Sequence, residues 1–152
     1  MEIRRAQPRE APSLTALAFR SKAVWGYKDA FMEQCREELT LTAEYISSRE
    51  VYVIGSDLRV VGFYGMSIRG PIATLDFLFV DPGFLREGMG RDLWNHAIAR
   101  AKLSGAASVS IDAEPHAELF YRLMGAQRIG VTASGSIPGR VLPQLRFTII
   151  DS

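Results

Sequence analysis

The sequence holds one cysteine, Cys35, and two histidines, His96 and His116. A lone thiol cannot close an internal disulfide, so the core must hold the fold, and a reducing, cytoplasmic compartment is expected. Cys35 lies in the helical run "FMEQCREEL" with no histidine near it, and reads as a small buried hydrophobe rather than a nucleophile. The histidines stand twenty positions apart without a cysteine partner, which gives no zinc spacing, and no metal is expected. Excess charge of either sign is also missing: 18 Lys and Arg offset 17 Asp and Glu, for a net charge of +1. That balance argues against a dedicated nucleic-acid or membrane binder. No apolar run is long enough to span a bilayer, and the opening "MEIRRAQPRE" has no apolar core of leader length, so secretion is not expected. Repeats, low-complexity tracts and Pro- or Gly-rich linkers are absent too, and residues 1–152 are expected to form a single domain.

What is present is an ordinary globular composition, 47% hydrophobic and 23% charged, enough to bury a core of its own. "EIRRA" reads as a short strand, and Pro8 to Pro12 lead into a helix with Leu14, Leu17 and Ala18 at helical spacing, ended by Gly26. A second helix, "KDAFMEQCREEL", repeats Phe31, Cys35 and Leu39 every four residues. Three strand-like runs follow, "VYVIGS", "RVVGFYGMSI" and "IATLDFLFV", and the short links "DL" and "RGP" make them an antiparallel meander. Then come a helix ending near Gly105, a strand "SVSID", a short helix "AELFYRLM" stopped by Gly125, and two last strands, "AQRIGV" and "LPQLRFTII", around a glycine-containing loop. The expected order is βαα-βββ-α-β-α-ββ.

Between the third strand of the meander and the next helix lies "DPGFLREGMGRDLW". Gly88 and Gly90 let the backbone approach a ligand closely, and the amides of Met89, Gly90 and Arg91 open a helix with nothing of their own to bond. A P-loop would need Lys and then Ser or Thr after the last glycine of "GFLREG", where Met89 and Gly90 stand. A dinucleotide fingerprint would need a third glycine where Leu93 stands. What survives is the general device of an anion at a helix N-terminus, and a pyrophosphate is the expected guest. Arg86 and Arg91 support it, because cations in a first turn oppose the helix dipole unless something negative offsets them.

The whole pattern resembles the GCN5-related N-acetyltransferase family, which binds acetyl-coenzyme A at a Q/R-x-x-G-x-G/A turn between its fourth strand and third helix. "LDFLFVDPGF" is similar to the family's strand-four motif, and "AELFYRLMGA" to its A-x-x-F-Y-x-x-x-G-F/A helix. Leu85 departs from the pattern, standing where Gln or Arg is usual, with Arg86 beside it as a source of charge. The resemblance implies an α/β (α+β) fold with a mixed, mostly antiparallel sheet of six to seven strands and four helices, splayed between strands four and five. It implies acetyl-CoA as co-substrate, with backbone groups of Phe79 and Val80 pairing with the pantetheine arm and the segment Arg86, Glu87, Gly88, Met89, Gly90 and Arg91 holding the pyrophosphate. It implies transfer of the acetyl group directly to an amine of a small molecule or a protein or peptide. A non-catalytic acyl-CoA sensing module of the same fold is the alternative.

Direct transfer needs a neutral amine, a polarised thioester and an acid for the departing thiolate. It needs no covalent intermediate, and "GMSIRG" and "GSIPG" both miss the nucleophile elbow. Tyr121 matches the family tyrosine that faces the sulfur, and is the candidate acid. Asp76, an acid inside the apolar strand "ATLDFLFV", is the candidate base, placed by alternation on one face with Thr74, Leu78 and Val80. The alternative is a carboxylate paired with an arginine or lying at a strand edge; Glu114 or a water chain would then be the base. Trp25 and Tyr27, around Gly26, form either a cation–π wall for the amine or a clasp between helices. Lys22, Arg20, Ser134, Ser136 and Arg140 are further candidates for the acceptor side. The acceptor's identity is not legible, and a homodimer through the C-terminal strands is left open.

Overall fold

A computed structural model describes residues 1–56 and 58–149. Asp57, in the expected link between two strands, and Ile150, at the end of the expected last strand, lie outside the described residues. The apolar runs become seven strands: β1 (Glu2–Arg5), β2 (Glu50–Ser56), β3 (Arg59–Arg69), β4 (Ile72–Val80), β5 (Ser108–Asp112), β6 (Gln127–Ala133) and β7 (Val141–Thr148). They form one sheet in the order β1-β2-β3-β4-β5-β7-β6. All neighbours are antiparallel except β4 and β5, which run parallel because a helix crosses between them.

Six helices accompany the sheet among the described residues: α1 (Ala11–Ala23), α2 (Asp29–Gln34), α3 (Arg36–Leu39), α4 (Ala43–Ser48), α5 (Met89–Leu103) and α6 (Glu118–Leu123). The count exceeds the expected four for two local reasons. The second expected helix breaks at Cys35 into α2 and α3, and α4 is new. Thr42 starts α4 by accepting a hydrogen bond from the Tyr45 amide, but only Ile46 of its residues is buried. No helix among the described residues is long and apolar enough to cross a membrane.

Both faces of the sheet are covered. On one, α5 lays Leu93, Trp94, Ala97 and Ala101 against Tyr64, Met66, Ala73 and Leu75, and Tyr121 of α6 joins them. On the other, Leu14, Leu17 and Ala18 of α1 meet Met32, Cys35, Leu39, Ile46, Val51, Val53 and Phe63. Cys35 is therefore the buried hydrophobe that its setting suggested.

Register fixes one detail that alternation could not. Gly65 pairs with Phe77 but Met66 pairs with Leu75, so Asp76 is an extra residue, a bulge in β4. Leu75, Leu78 and Val80 pack on the α5 side, whereas Phe77 and Phe79 pack on the α1 side. The bulge has flipped the parity, and Asp76 does not share a face with Leu78 and Val80. Nor is it buried: its side chain is exposed.

Immediately after β4, Asp81 is buried at 6% exposure. Its carboxylate accepts from the Gly83 amide at 3.1 Å and from Arg20 at 2.9 Å, with Arg59 at 3.6 Å. These contacts tie α1 and β3 to the turn that leads into α5. Asp81→Asn keeps the shape and removes the charge, and is expected to cost about 1–3 kcal/mol. Urea denaturation at neutral pH measures it; a loss below about 0.3 kcal/mol would mean that the two arginines contribute nothing.

Candidate functional site

The β4–β5 ladder is three residues long. Ile72 pairs with Ser108, Ala73 with Val109 and Thr74 with Ser110. Beyond Thr74, β4 continues on β3 as far as Val80, while β5 continues on β7 as far as Asp112. The facing edges of the two strands then carry backbone groups that no strand satisfies, and a cleft opens through the sheet. Phe79 and Val80 stand on that edge of β4, with their side chains turned to opposite faces.

At the end of β4 the chain turns through Asp81–Gly88. Arg86 adopts φ +66° and Gly88 φ +85°. The first is rare for a residue with a Cβ and is a strain of about 1 kcal/mol or more, of the sort that accumulates where a ligand is cradled. Gly88 starts α5, whose first internal bond runs from the Asp92 amide to the Gly88 carbonyl at 3.0 Å. The amides of Met89, Gly90 and Arg91 thus have no acceptor among the described residues. Met89 is buried and anchors the helix start, whereas Arg86, Glu87 and Arg91 are exposed around it. Gly90 has no positive φ, and a Cβ there would meet the Phe120 ring in ordinary van der Waals contact at 3.4 Å. Free amides, two flanking arginines and a bare backbone make a setting that suits a pyrophosphate. Leu85 is 42% exposed and contributes no polar group to it.

Tyr121 is 6% exposed and packs against Trp94 and Phe120. Burial pushes its phenol well above the ordinary range, so the proton is held at neutral pH. Its hydroxyl bonds to no described residue, yet no fully buried polar side-chain atom among them lacks a partner. The oxygen therefore reaches open space, and is free to donate.

Asp76 is held at the mouth of the cleft. Its Oδ2 accepts from the Tyr45 hydroxyl at 2.6 Å and from Ser67 Oγ at 2.5 Å. Gly65 makes the room: a Cβ on it would lie 2.8 Å from the Tyr45 oxygen. Oδ1 keeps its lone pairs. Asp112, the last residue of β5, has its carboxyl raised by partial burial and by the charge of Asp76. The sequence offered no sign of that second acid, because an Asp ending a strand is commonplace.

Glu114 is the centre of a third group. One oxygen accepts from the Tyr27 hydroxyl in a very short contact and from His116 Nδ1 at 2.8 Å. The other accepts from Lys22 Nζ at 3.2 Å, with Arg140 at 3.5 Å. Arg140 also donates to the Tyr27 oxygen at 3.0 Å. Both cations lie over aromatic rings, with the Arg140 guanidinium 4.9 Å from Phe31 and 5.4 Å from Tyr27. Trp25 stacks on His116 at 4.7 Å. Five sequence candidates, Trp25, Tyr27, Glu114, Arg140 and Lys22, are thus brought into one cluster, with His116 added. Arg20 is not part of it, being bound to Asp81. Ser136 bonds Glu38 of α3 and Ser134 closes its own loop by accepting from the Ser136 and Ile137 amides, so both hold the loop in place. Nothing in the sequence marks His116 for this cluster, because its partners Trp25 and Tyr27 are about ninety positions away.

These contacts set the acidity of the cluster. Burial opposes ionisation of Glu114, but hydrogen bonds from Tyr27 and His116 and the charge of Lys22 lower its carboxyl from 4.5 to about 2. Burial, together with the Glu114 carboxylate, pushes Tyr27 up to about 12. A carboxylate so firmly ionised is a weak base, and the donors around it suit it to the part of a clamp. Its folded value lies below its unfolded one, so its stabilisation is complete above about pH 4.5 and fades as pH falls toward 2. Glu114→Gln is expected to cost about 1–3 kcal/mol at pH 7 and almost nothing near pH 2. Denaturation of parent and variant across that range checks it; parallel curves would show that the clamp carries no charge-dependent stability.

Comparison with known proteins gives this geometry its family. A search of curated proteins finds no match to the sequence. The chain is similar in structure to the PaiA N-acetyltransferase of Thermoplasma acidophilum in complex with coenzyme A, with a TM-score of 0.80, 18% identity, and 97% and 98% of the two chains covered. It is similar to a GCN5-related N-acetyltransferase of Rhodopseudomonas palustris, with a TM-score of 0.81, 20% identity, and 97% and 95% covered. It is also similar to an aminoglycoside 6'-N-acetyltransferase complexed with coenzyme A, with a TM-score of 0.71, 17% identity, and 100% and 99% covered. At such identities the likeness establishes the fold. The sequence itself matches the profile of the acetyltransferase (GNAT) domain over residues 11–134. The chain therefore belongs to the GNAT acetyltransferase family.

Proposed function

We propose that residues 1–152 act as a single N-acetyltransferase domain that moves the acetyl group of acetyl-CoA directly to an amine of a small molecule or peptide, in the cytoplasm and without a metal. The observation that carries this reading is the pairing of the parted β4 and β5 with a turn of free amides at the end of β4. When bound, acetyl-CoA supplies an activated acetyl thioester. Phe79 and Val80 would offer backbone groups to its pantetheine arm, and the segment from Arg86 through Glu87, Gly88, Met89 and Gly90 to Arg91 would hold its pyrophosphate.

Tyr121, protonated and unpartnered, gives its proton to the departing thiolate. Asp76 keeps Oδ1 free to take the proton of the attacking amine, while Tyr45 and Ser67 fix its other oxygen. Trp25, Tyr27, Glu114 and Arg140 form the acceptor wall. The proton donor and acceptor thus come from different elements, α6 and β4.

Acetyl-CoA at about one hundred times its dissociation constant should stabilise the fold by roughly 2.7 kcal/mol. Gly90→Val places a branched side chain against Phe120 and the phosphate path, so this gain should shrink in a protein that still folds. Thermal shift measures both. No response to millimolar acetyl-CoA in the parent would defeat the assignment, and a full response in the variant would remove the phosphate role of the turn.

Tyr121→Phe keeps the ring and its packing on Trp94 and deletes the proton donor. Turnover at saturating acetyl-CoA should fall about 10²- to 10⁴-fold, with little change in coenzyme binding. Turnover within about threefold of the parent would return Tyr121 to a packing role. Coenzyme binding with no transfer to any amine would favour a sensing module instead.

A further inference from the structure

The bulge in β4 sets two consecutive side chains on the same side of the sheet. Asp76 bonds to Tyr45, and both Tyr45 and Phe77 pack against the core on the α1 side. Phe79, two residues on, packs there as well. An acid is therefore followed on one face by two aromatic rings, whereas plain alternation would have sent Asp76 and Phe77 to opposite faces.

The rings form a row. Tyr45 meets Phe77 edge-on at 5.4 Å, and Phe63 stands 6.0 Å from Phe77 and 5.9 Å from Phe79. Phe63 is wholly buried, but Phe77 and Phe79 are only partly so. Both are covered on the β3 side: Phe77 pairs with Gly65, where a Cβ would lie 3.0 Å from its ring, and Phe79 pairs with Phe63. On its other side β4 has no partner strand beyond Thr74 among the described residues. The ring surface left uncovered thus borders the opening in the sheet, beside Asp76.

Polar groups around that opening are bound to one another. Glu114 accepts from Tyr27, His116, Lys22 and Arg140, while Tyr45 and Ser67 donate to Oδ2 of Asp76. An acceptor that brings its amine to the open Oδ1 of Asp76 therefore meets rings next to it. A phenyl or indole group can lie offset or edge-on against Phe77, which favours an aromatic guest beyond the area it buries. Asp76 and Phe77 are neighbours in the chain, about 3.8 Å apart at Cα, so the amine and the ring of such a guest need only a short linker between them. A second ammonium group in that place would lose its water on apolar surface without gaining a partner.

Resting on the transferase reading above, we infer that the acceptor is an arylalkylamine, whose amine meets Asp76 and whose ring lies on Phe77, with Phe79 beyond it.

The test compares phenylethylamine and tryptamine with ethanolamine and putrescine as acceptors, at a single pH, with acetyl-CoA and detection of free thiol. The parent should use at least one aromatic amine with a kcat/KM tenfold or more above both polar ones. Phe77→Ala should lower that ratio by roughly 10- to 100-fold, mainly through KM, with acetyl-CoA binding unchanged. A variant that merely loosened Asp76 would lower every amine alike and leave the ratio where it was. Phe77→Leu keeps apolar bulk and drops the ring; its ratio should fall about threefold to tenfold below the parent's, and it carries the test should Phe77→Ala fail to fold. Polar amines used as well as the aromatic ones, or a ratio unchanged in the folded variants, would overturn the inference while leaving the transferase reading intact. Coenzyme binding with no transfer to any amine would overturn both.

Discussion

Everything functional in this chain depends on two parallel strands parting after three pairs. A sheet normally satisfies every backbone amide and carbonyl between neighbours, and an interior gap in it would be costly if left empty. Here a bulge at Asp76 lies two residues beyond the last β4–β5 pair. A bulge bends and twists its strand. β3 follows β4 through the bend because Gly65 and the residues after it re-pair, whereas β5 stays with β7. One extra residue, beside the point where the strands part, also sets the face on which Asp76 stands.

Two carboxylates near that mouth have been given opposite environments. Glu114 is surrounded by donors and cations on both oxygens and is held at about 2. Asp76 has both of its donors on one oxygen and leaves the other open. The same functional group is saturated with donors in one place and left half open in the other. The difference lies entirely in what surrounds it.

Much of the fold was legible because its elements keep their periods. The strands "VYVIGS" and "RVVGFYGMSI" and the helix from Met89 carry patterns that no other structure would satisfy, and the turn at Gly88 needed only its glycines and its place after a strand. The bulge was hidden because Phe77, Leu78, Phe79 and Val80 are all apolar, so neither parity looked wrong. Helix α4 was hidden because "AEYISS" buries little, and the break at Cys35 because the four-residue spacing runs straight through it. The acceptor cluster was legible as separate residues and illegible as a unit. Tyr27 and Glu114 are 87 positions apart, and nothing local to either records the other.

The two cores explain how such a cleft can keep its parts distinct. Tyr121 and the start of α5 belong to the core on one face of the sheet, while Tyr27, Phe31 and Ile137 pack against the core on the other. Groups assigned to the coenzyme and groups assigned to the acceptor are thus separated by the sheet itself, except where β4 and β5 part. On this reading the two substrates approach from opposite faces and meet only in the opening, where Asp76 and Tyr121 wait. Placing the reactive groups on strands and helices tied to separate cores holds them in register, because neither core can shift without disturbing its own packing. Rigid placement of that kind is what transfer by proximity and orientation requires.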